Sequence, residues 1–234
     1  MIDFHTHILP GMDDGSKSVE ESIWLLQEET RQGVDTVMLT PHYYADENSP
    51  VDFLRRRYAA WKRLSEAWCR EFPKVRLGAE VQYFEGICGI EDIRHLRIVG
   101  TNFLLLEMPF CRWTDRMIGD VLELNDQWQL QIVLAHIERY MAMQSPDLWA
   151  RLRAYGVLMQ SNVSFFGNWK TKGKALNMLA NGEIHFLGTD CHNQKTRKPN
   201  WDLLPEHAKR LLATGMENIR LWQLDTDGVH LEFV

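Results

Sequence analysis

Residues 2–7 read Ile-Asp-Phe-His-Thr-His and join a short apolar run to two histidines that lie two residues apart. On an extended strand, residues i and i+2 face the same side, so His5 and His7 are predicted to point together. An apolar run that ends in a potential metal ligand recurs farther along the chain. The pattern predicts strands whose carboxyl ends carry the chemistry.

Short aliphatic or β-branched runs alternate with longer amphipathic stretches. Seven such runs predict strands near residues 2–6, 36–40, 75–80, 103–107, 131–135, 157–161 and 184–189. A first helix is predicted between a capping box, Ser18 with Glu21, and Gly33, and later helices near 51–71, 115–128, 146–155, 172–181 and 203–213. The alternation indicates parallel strands with right-handed crossovers. Periodicity alone fits an open doubly wound sheet as well as a closed barrel.

The bulk composition is that of an ordinary folded domain. The chain has 234 residues, of which 45% are hydrophobic and 25% charged, and we predict a single domain over 1–234. The net charge of -6 argues mildly against nucleic acid as the main partner. The composition makes no prediction of oligomeric state.

The expected location is the cytoplasm. No run approaches the ~20 apolar residues that a bilayer span needs, and the first residues have neither a basic nor a long apolar region. We therefore expect no membrane insertion. The four cysteines are widely spaced and form no Cys-x-x-Cys pair, which fits a reducing compartment.

Imidazole or carboxylate side chains stand at the ends of six of the seven predicted strands, and the carboxyl ends of parallel barrel strands meet at one face. Two of them end strongly apolar runs, where a buried carboxylate costs several kcal/mol unless it is paired or bound to metal. Asp14, in the loop 11–15, could reach the same rim. The candidate metal ligands are His5, His7, Asp14, His42, Glu80, Glu107, His136, Asp190 and His192.

A set of imidazoles and carboxylates without thiolates suits Mn(II), Fe, Zn(II) or sometimes Mg(II). Nine candidates exceed one coordination sphere, so the set predicts two or three divalent ions that share bridging carboxylates. Such ions lower the pKa of bound water and generate hydroxide at neutral pH, which favours hydrolysis as the reaction.

Two arginines follow candidate ligands closely in the sequence. Arg139 comes three residues after His136, and Arg197 comes five after His192. A guanidinium offers a planar fork of donors that fits phosphate oxygens, which favours a phosphate ester as substrate. The alternative is that both are solvated loop charges.

Six motifs, in order and over nearly the whole chain, resemble those of bacterial capsule-locus protein-tyrosine phosphatases in the polymerase and histidinol phosphatase (PHP) superfamily. They are Asp-Phe-His-Thr-His-Ile-Leu-Pro-Gly-Met-Asp-Asp-Gly at 3–15, Thr-Pro-His-Tyr at 40–43, Gly-Ala-Glu-Val at 78–81, Leu-Leu-Glu at 105–107, Leu-Ala-His-Ile-Glu-Arg-Tyr at 134–140 and Gly-Thr-Asp-Cys-His at 188–192. One departure is Ile137, where the family commonly has proline.

The resemblance implies a distorted TIM-like (β/α)7 barrel of PHP type with a trinuclear site, usually assayed with manganese. It implies metal binding by the same nine residues and phosphate contacts by Arg139 and Arg197. The implied activity is hydrolysis of phosphotyrosine by a metal-activated hydroxide. The implied substrate protein is a bacterial tyrosine kinase that regulates capsule or exopolysaccharide synthesis.

Three other functions stay open. Cys191 and Arg197 form a Cys-x5-Arg pattern typical of cysteine-dependent tyrosine phosphatases, although this spacing arises often by chance. The metal site could instead act on a small phosphomonoester such as histidinol phosphate, a sugar phosphate or a nucleotide. A metal-stabilised regulatory domain without activity is the third alternative.

Several aromatic residues follow the predicted strands and could stack on a tyrosyl ring. Our expectation is that at least half of them are packing residues of the core instead. They are Tyr43, Tyr44, Phe110, Trp113, Phe165 and Phe166.

Overall fold

The structure is a computed structural model and describes residues 1–210, apart from the side chain of Gln127. In this part of the chain the strands are β1 (Ile2–Thr6), β2 (Thr36–Leu39), β3 (His42–Tyr43), β4 (Lys74–Leu77), β5 (Glu80–Gln82), β6 (Phe103–Glu107), β7 (Gln131–Leu134), β8 (Leu158–Asn162) and β9 (Phe186–Gly188). The α-helices are α1 (Val19–Arg31), α2 (Pro50–Ser65), α3 (Asp115–Gln127), α4 (Pro146–Ala154), α5 (Ser164–Gly167) and α6 (Lys172–Ala180).

All strand pairings are parallel, as predicted. One sheet has the order β1-β2-β4 and the other β3-β5-β6-β7-β8-β9. The two sheets form one curled wall. In the chain, β3 follows β2 and β5 follows β4, and β3 pairs with β5 just as β2 pairs with β4. The nine strands thus occupy seven positions of a distorted barrel, which confirms the predicted fold class.

The predicted third strand, 75–80, is interrupted, and Pro41 separates the second strand from an additional short strand, which corrects the sequence analysis. His42 and Glu80 do not follow unbroken second and third strands but lie opposite each other in β3 and β5. Pro41 lacks an N–H group and cannot continue the ladder of β2, which explains the first break. Glu80 instead donates its backbone N–H to the carbonyl of Pro41 at 3.0 Å. The breaks bring a histidine and a glutamate side by side.

The ends of β1 and β9 close the wall. Asp190 donates its backbone N–H to the carbonyl of His5 at 2.8 Å, and His7 donates to the carbonyl of Cys191 at 2.9 Å. This closure requires glycine at Gly188, because a Cβ there would lie 2.6 Å from the Cβ of His5. The first and last strands are therefore held together at the residues that carry candidate ligands.

A small apolar cluster fills the inside of the barrel beneath those ligands. Phe4 stacks on Phe186 of the adjoining β9 at 4.0 Å and meets Phe103 of β6, which is not a neighbour of β1, edge-on at 5.8 Å. Leu105 belongs to the same cluster. Since side chains alternate along β6, Glu107 faces the inside of the barrel like Phe103 and Leu105 and lies beyond them at the carboxyl end of the strand. A larger cluster packs the helices against the outside of the wall.

The helices begin at side-chain caps. Ser18, Ser49, Thr114 and Ser145 each accept a hydrogen bond from the backbone three residues on, at the starts of α1, α2, α3 and α4. The predicted capping box is only half formed, because Glu21 accepts from the backbone N–H of Lys17 rather than that of Ser18.

The last predicted helix, 203–213, is only partly within the described residues. A 3-10 turn covers Trp201–Leu203, and residues 206–210 are helical. Residues 211–213 lie outside the described part, and the single domain over 1–234 stays a prediction. No helix within residues 1–210 combines the length and apolar character needed to cross a bilayer.

Replacing Gly188 with alanine tests the close contact between the ends of β1 and β9. We expect Gly188→Ala to lower the free energy of unfolding by about 1–3 kcal/mol, since the new methyl group overpacks against His5. Thermal and urea unfolding followed by circular dichroism would measure the change. Gly119→Ala in α3 is the matched control, because its Cβ would meet open space. It should be neutral or stabilising, and an equal loss in both variants would contradict the close-approach argument.

Candidate metal centre

All nine candidate ligands surround one space at the carboxyl ends of the strands. They come from β1, β3, β5, β6 and the segments that follow β1, β7 and β9. Side-chain nitrogen and oxygen atoms of eight of the nine form overlapping groups, each compact enough to hold an ion, and the ninth, His136, is 2.9 Å from Glu80. The members of these groups are His7 with Asp14, His42 and His192; His5 with His7 and Asp190; and His42 with Glu80 and Glu107.

Glu80 lies at the middle of this space and is almost completely buried. Its Oε2 atom is 3.0 Å from Nε2 of His5, 3.2 Å from Nε2 of His7 and 3.1 Å from Nδ1 of His42. Its Oε1 atom is 2.9 Å from Nε2 of His136. One carboxylate therefore contacts four imidazoles from different parts of the chain.

The first two histidines point together, as predicted. The Nε2 atoms of His5 and His7 are 3.0 Å apart. Asp190 and His192 also face one space, with 3.6 Å between the carboxylate of Asp190 and Nδ1 of His192. Strand geometry does not persist there, because β9 ends at Gly188 and Asp190 has a positive φ of 54°.

Two residues that follow strand ends have a left-handed backbone conformation. Besides Asp190, His136 has a positive φ, of 31°. This region is strained for residues other than glycine and persists only where surrounding contacts fix it. His136 donates its backbone N–H to Oε1 of Gln160 at 2.7 Å, which is such a contact. The backbone thus turns sharply to aim both side chains inward.

Two buried imidazole nitrogens fit a metal site better than a hydrogen-bonded one. Within residues 1–210, Nδ1 of His42 and Nε2 of His192 make no hydrogen bond although they are buried. Nδ1 of His42 is 3.1 Å from Glu80, and Nε2 of His192 is 3.2 Å from Asp14, without hydrogen-bonding geometry. Buried polar atoms normally have a partner, and a divalent cation among these donors would supply one.

Neighbouring carboxylates raise the pKa of two buried histidines. Burial opposes charge on His7, but Asp13 and Glu80 outweigh it and raise the pKa of His7 to about 10. Burial likewise opposes charge on His136, and Glu107 and Glu80 raise its pKa to about 9. Cations that bind to these nitrogens must displace protons, so binding and proton release are linked.

Asp13 holds His7 in one orientation, a role that the sequence analysis missed. Its Oδ2 atom is 2.7 Å from Nδ1 of His7 and accepts the backbone N–H of His42 at 2.8 Å. A proton on Nδ1 leaves the Nε2 lone pair free to face the ligand space. Despite burial, the contact with His7 holds the pKa of Asp13 well below its usual range. In the sequence, Asp13 only precedes the candidate ligand Asp14, and nothing there indicates its contact with His7.

A chain of amides supports the opposite side of the centre. Oε1 of Gln160 accepts from the backbone of His136 and lies 3.3 Å from Nδ1 of His5. Nε2 of Gln160 donates to Asn162 at 3.0 Å, and Asn162 donates to Asp190 at 2.9 Å. Both amides belong to β8, the predicted strand that ends in no ionisable ligand. Neither was predicted, because buried polar strand residues become evident only when their partners are known.

The two arginines converge on Asp190. Arg139 donates a hydrogen bond to Oδ2 of Asp190 at 2.6 Å, and a guanidinium nitrogen of Arg197 forms an ion pair with Oδ1 at 2.6 Å. Both guanidinium groups are about 40% exposed, whereas Asp190 is buried. They are therefore rim residues that cover the candidate ligands, and not dispersed loop charges.

Cys191 is unsuited to nucleophilic attack. It is completely buried, and burial, with the charges of Glu29 and Asp3, raises the pKa of its thiol well above the ordinary value. A reactive cysteine needs an accessible thiolate. The Cys-x5-Arg pattern is therefore coincidental.

The rim aromatics divide as expected. Tyr43, Trp113, Phe165 and Phe166 are buried, which confirms that at least half of the six are packing residues. Tyr44 and Phe110 remain accessible.

Fold and site together define a metal-dependent hydrolase built on a distorted parallel barrel of PHP type. Residues 1–218 match the family described as "Capsular polysaccharide synthesis, CpsB/CapC". The chain belongs to this family.

Characterised relatives and a solved structure share this assignment. The chain is 32% identical to the tyrosine-protein phosphatase YwqE of Bacillus subtilis (strain 168), over 84% of this chain and 79% of the relative. It is 29% identical to the tyrosine-protein phosphatase CpsB of Streptococcus agalactiae, over 85% of this chain and 86% of the relative. A crystal structure from work on YwqE of B. subtilis and CpsB of Streptococcus pneumoniae, described as unique metal-dependent tyrosine phosphatases, aligns with a TM-score of 0.77 at 25% identity. It covers 93% of this chain and 92% of that one.

Removing the charge of Asp13 tests its support of His7. We expect Asp13→Asn to weaken manganese binding by about 10–100-fold, since the amide no longer fixes the Nδ1–H tautomer. Competition with a metal indicator dye would measure the affinity. Asp46→Asn, on the exposed stretch before α2, is the control. Unchanged manganese affinity in Asp13→Asn would show that Asp13 does not support metal binding through His7.

Proposed function

We propose that the protein is a metal-dependent protein-tyrosine phosphatase. The observation that carries the proposal is that two partly exposed arginines cover the same space that nine imidazole and carboxylate side chains line. The relatives named as tyrosine-protein phosphatases support phosphotyrosine as the substrate. The substrate protein that we propose is a bacterial tyrosine kinase that regulates capsule or exopolysaccharide synthesis, and the proposed location is the cytoplasm.

Two or three divalent ions, most simply Mn(II), with Fe or Zn(II) as alternatives, would be held by the nine ligands named above. When bound, they would supply Lewis acidity and lower the pKa of the attacking water. Glu80 would help to hold the ions with both of its oxygens, which face different histidines. Asp13 and Gln160 would keep His7 and His5 oriented toward them.

The arginines would bind the phosphoryl group. Arg139 and Arg197 approach Asp190 from its two oxygens, so their guanidinium groups flank one position above the centre. A planar guanidinium can donate two parallel hydrogen bonds to a phosphoryl group and offset the charge that develops during transfer. The residues thus divide between holding the ions and holding the ester.

The open mouth favours a protein-borne substrate over a small phosphomonoester. The side chain of Asp14 is 66% exposed, and Arg139 and Arg197 are about 40% exposed. A pocket for a small metabolite usually encloses most of it. The same openness argues against a purely structural metal site, since such sites are coordinatively closed.

The proposed function is tested with a phosphotyrosine peptide and the purified chain. We expect turnover to be lost after chelation and restored by manganese, while iodoacetamide has no effect, since Cys191 is buried. Phosphate release measures the rate. Sensitivity to iodoacetamide without sensitivity to chelator would contradict the proposal. Turnover of sugar phosphates or histidinol phosphate alone would favour the small-ester alternative.

Removing His136 should abolish hydrolysis and leave most of the fold intact, because its imidazole contacts both Glu80 and Glu107. Steady-state rates and circular dichroism measure the two effects. His95→Ala on the exposed surface is the control. Normal turnover in His136→Ala would contradict the proposed site.

Removing Arg139 separates phosphate binding from metal binding. We expect Arg139→Ala to lower kcat/KM by about 100-fold while bound manganese stays unchanged. Elemental analysis of the dialysed protein measures the metal content. Arg151→Ala, in α4, is the matched control. Loss of metal in Arg139→Ala would assign this arginine to the support of Asp190 instead.

A further inference from the structure

We infer that Tyr44 and Phe110 form an aryl-binding subsite at the mouth of the centre and select aromatic phosphate esters. The inference rests on the proposed function and deepens it. It names the side chains that would recognise the tyrosyl ring, a part of the substrate that neither the candidate ligands nor the arginines explain.

The candidate ligands are not equally accessible. His5, His7, Glu80, His136, Asp190 and His192 have side chains that are at most 4% exposed. Glu107 and His42 are 17% and 12% exposed, so together with Asp14 they border the mouth. An ester that enters must pass these side chains and the two arginines. Each of the two accessible rim aromatics belongs to the segment of one bordering ligand.

Tyr44 stacks on one bordering ligand. Its ring lies nearly parallel to that of His42, with 5.1 Å between the centroids and 21° between the planes. Tyr44 is partly exposed, whereas the preceding Tyr43 is buried against Phe53. The stacking holds the outer face of Tyr44 in a fixed orientation beside the entrance.

Phe110 lies beyond the other bordering ligand, three residues after Glu107. It is 74% exposed, whereas six of the nine phenylalanines within residues 1–210 are buried. Its ring packs against Tyr140, with 6.4 Å between the centroids. The hydroxyl of Tyr140 is 3.3 Å from Nδ1 of His136. Phe110 is thus connected through one ring to a candidate ligand and still offers an open apolar face.

Arg139 connects the candidate ligands to the segments that carry the two rings. Arg139 precedes Tyr140 and bridges the two sides of the mouth, since it contacts Asp190 at 2.6 Å and Glu107 at 3.8 Å. Glu107 in turn is 3.9 Å from Nδ1 of His42, on which Tyr44 stacks, and Phe110 packs on Tyr140, the residue after Arg139. An ester held by Arg139 would therefore lie close to the segments that carry both rings. Aromatic rings prefer offset or edge-on contact with other rings, and an alkyl chain makes a smaller contact.

Matched ligands and variants test the subsite in the manganese-loaded full chain. Binding of phenylphosphonate and methylphosphonate is measured by calorimetry, and kcat/KM is measured for phenyl phosphate and glycerol phosphate. We expect Phe110→Ala and Tyr44→Ala each to lower the phenyl-to-methyl affinity ratio by about 5–20-fold, with methylphosphonate binding unchanged. The ratio for kcat/KM should fall in parallel.

Conservative variants separate ring recognition from damage to the centre. Tyr44→Phe keeps the ring and should keep the ratio, whereas Phe110→Leu should give an intermediate value. Tyr155→Ala is the control for an exposed aromatic at the end of α4, before β8 and so at the other end of the barrel. It should leave both ligands unaffected.

The outcomes distinguish the two proposals. Unchanged ratios in both alanine variants, with normal turnover, would overturn the subsite and leave the phosphatase intact. Equal losses for both phosphonates would also overturn it, because they would show general damage to phosphate binding. Failure of the unaltered chain to hydrolyse any ester would contradict the proposed function, while the phosphonate ratio would still decide whether these rings bind an aryl group.

Discussion

Glu80 is the residue on which the rest of the centre depends. A carboxylate that is almost fully buried costs several kcal/mol unless positive charge or strong hydrogen-bond donors surround it. Here four imidazoles surround it, from two residues at the end of β1, one in β3 and one after β7. The interruption of β2 at Pro41 and of β4 before Glu80 makes this possible, since it sets His42 directly opposite Glu80. The irregularity of the barrel is therefore tied to the carboxylate at its middle.

The site is closed below and open above. Stacked phenylalanines from β1, β6 and β9 fill the barrel beneath the ligands and exclude water from that side. Above them, the side chains of His42, Glu107 and Asp14 are 12%, 17% and 66% exposed, and Arg139 and Arg197 contact Asp190. A low-dielectric base strengthens the attraction between cations and carboxylates, and an open rim admits an ester carried by a protein. This asymmetry is what distinguishes the centre from a structural metal site.

The sequence was most informative where chemistry coincides with periodicity. Seven parallel strands and the gathering of ligand types at one rim followed from apolar runs that end in histidine, aspartate or glutamate. The choice of a barrel over an open sheet followed from the family resemblance. The start of the first helix followed from the cap at Ser18. What periodicity could not reveal depends on contacts between distant segments. Pro41 breaks a strand whose aliphatic pattern looks continuous, Asp13 resembles an ordinary turn residue, and Gln160 and Asn162 are buried amides in a strand without ionisable ends. The left-handed backbone at His136 and Asp190 has no sequence signal, because neither residue is glycine.

The central claim is that these nine side chains together hold divalent ions. Crystals grown with manganese and measured on both sides of the manganese absorption edge would test it directly. The account predicts two or three anomalous peaks in the space around Glu80, each within bonding distance of histidine nitrogens and carboxylate oxygens. Peaks elsewhere, such as beside the separate group of Cys88, Asp120 and Glu123, with none near Glu80, would contradict it.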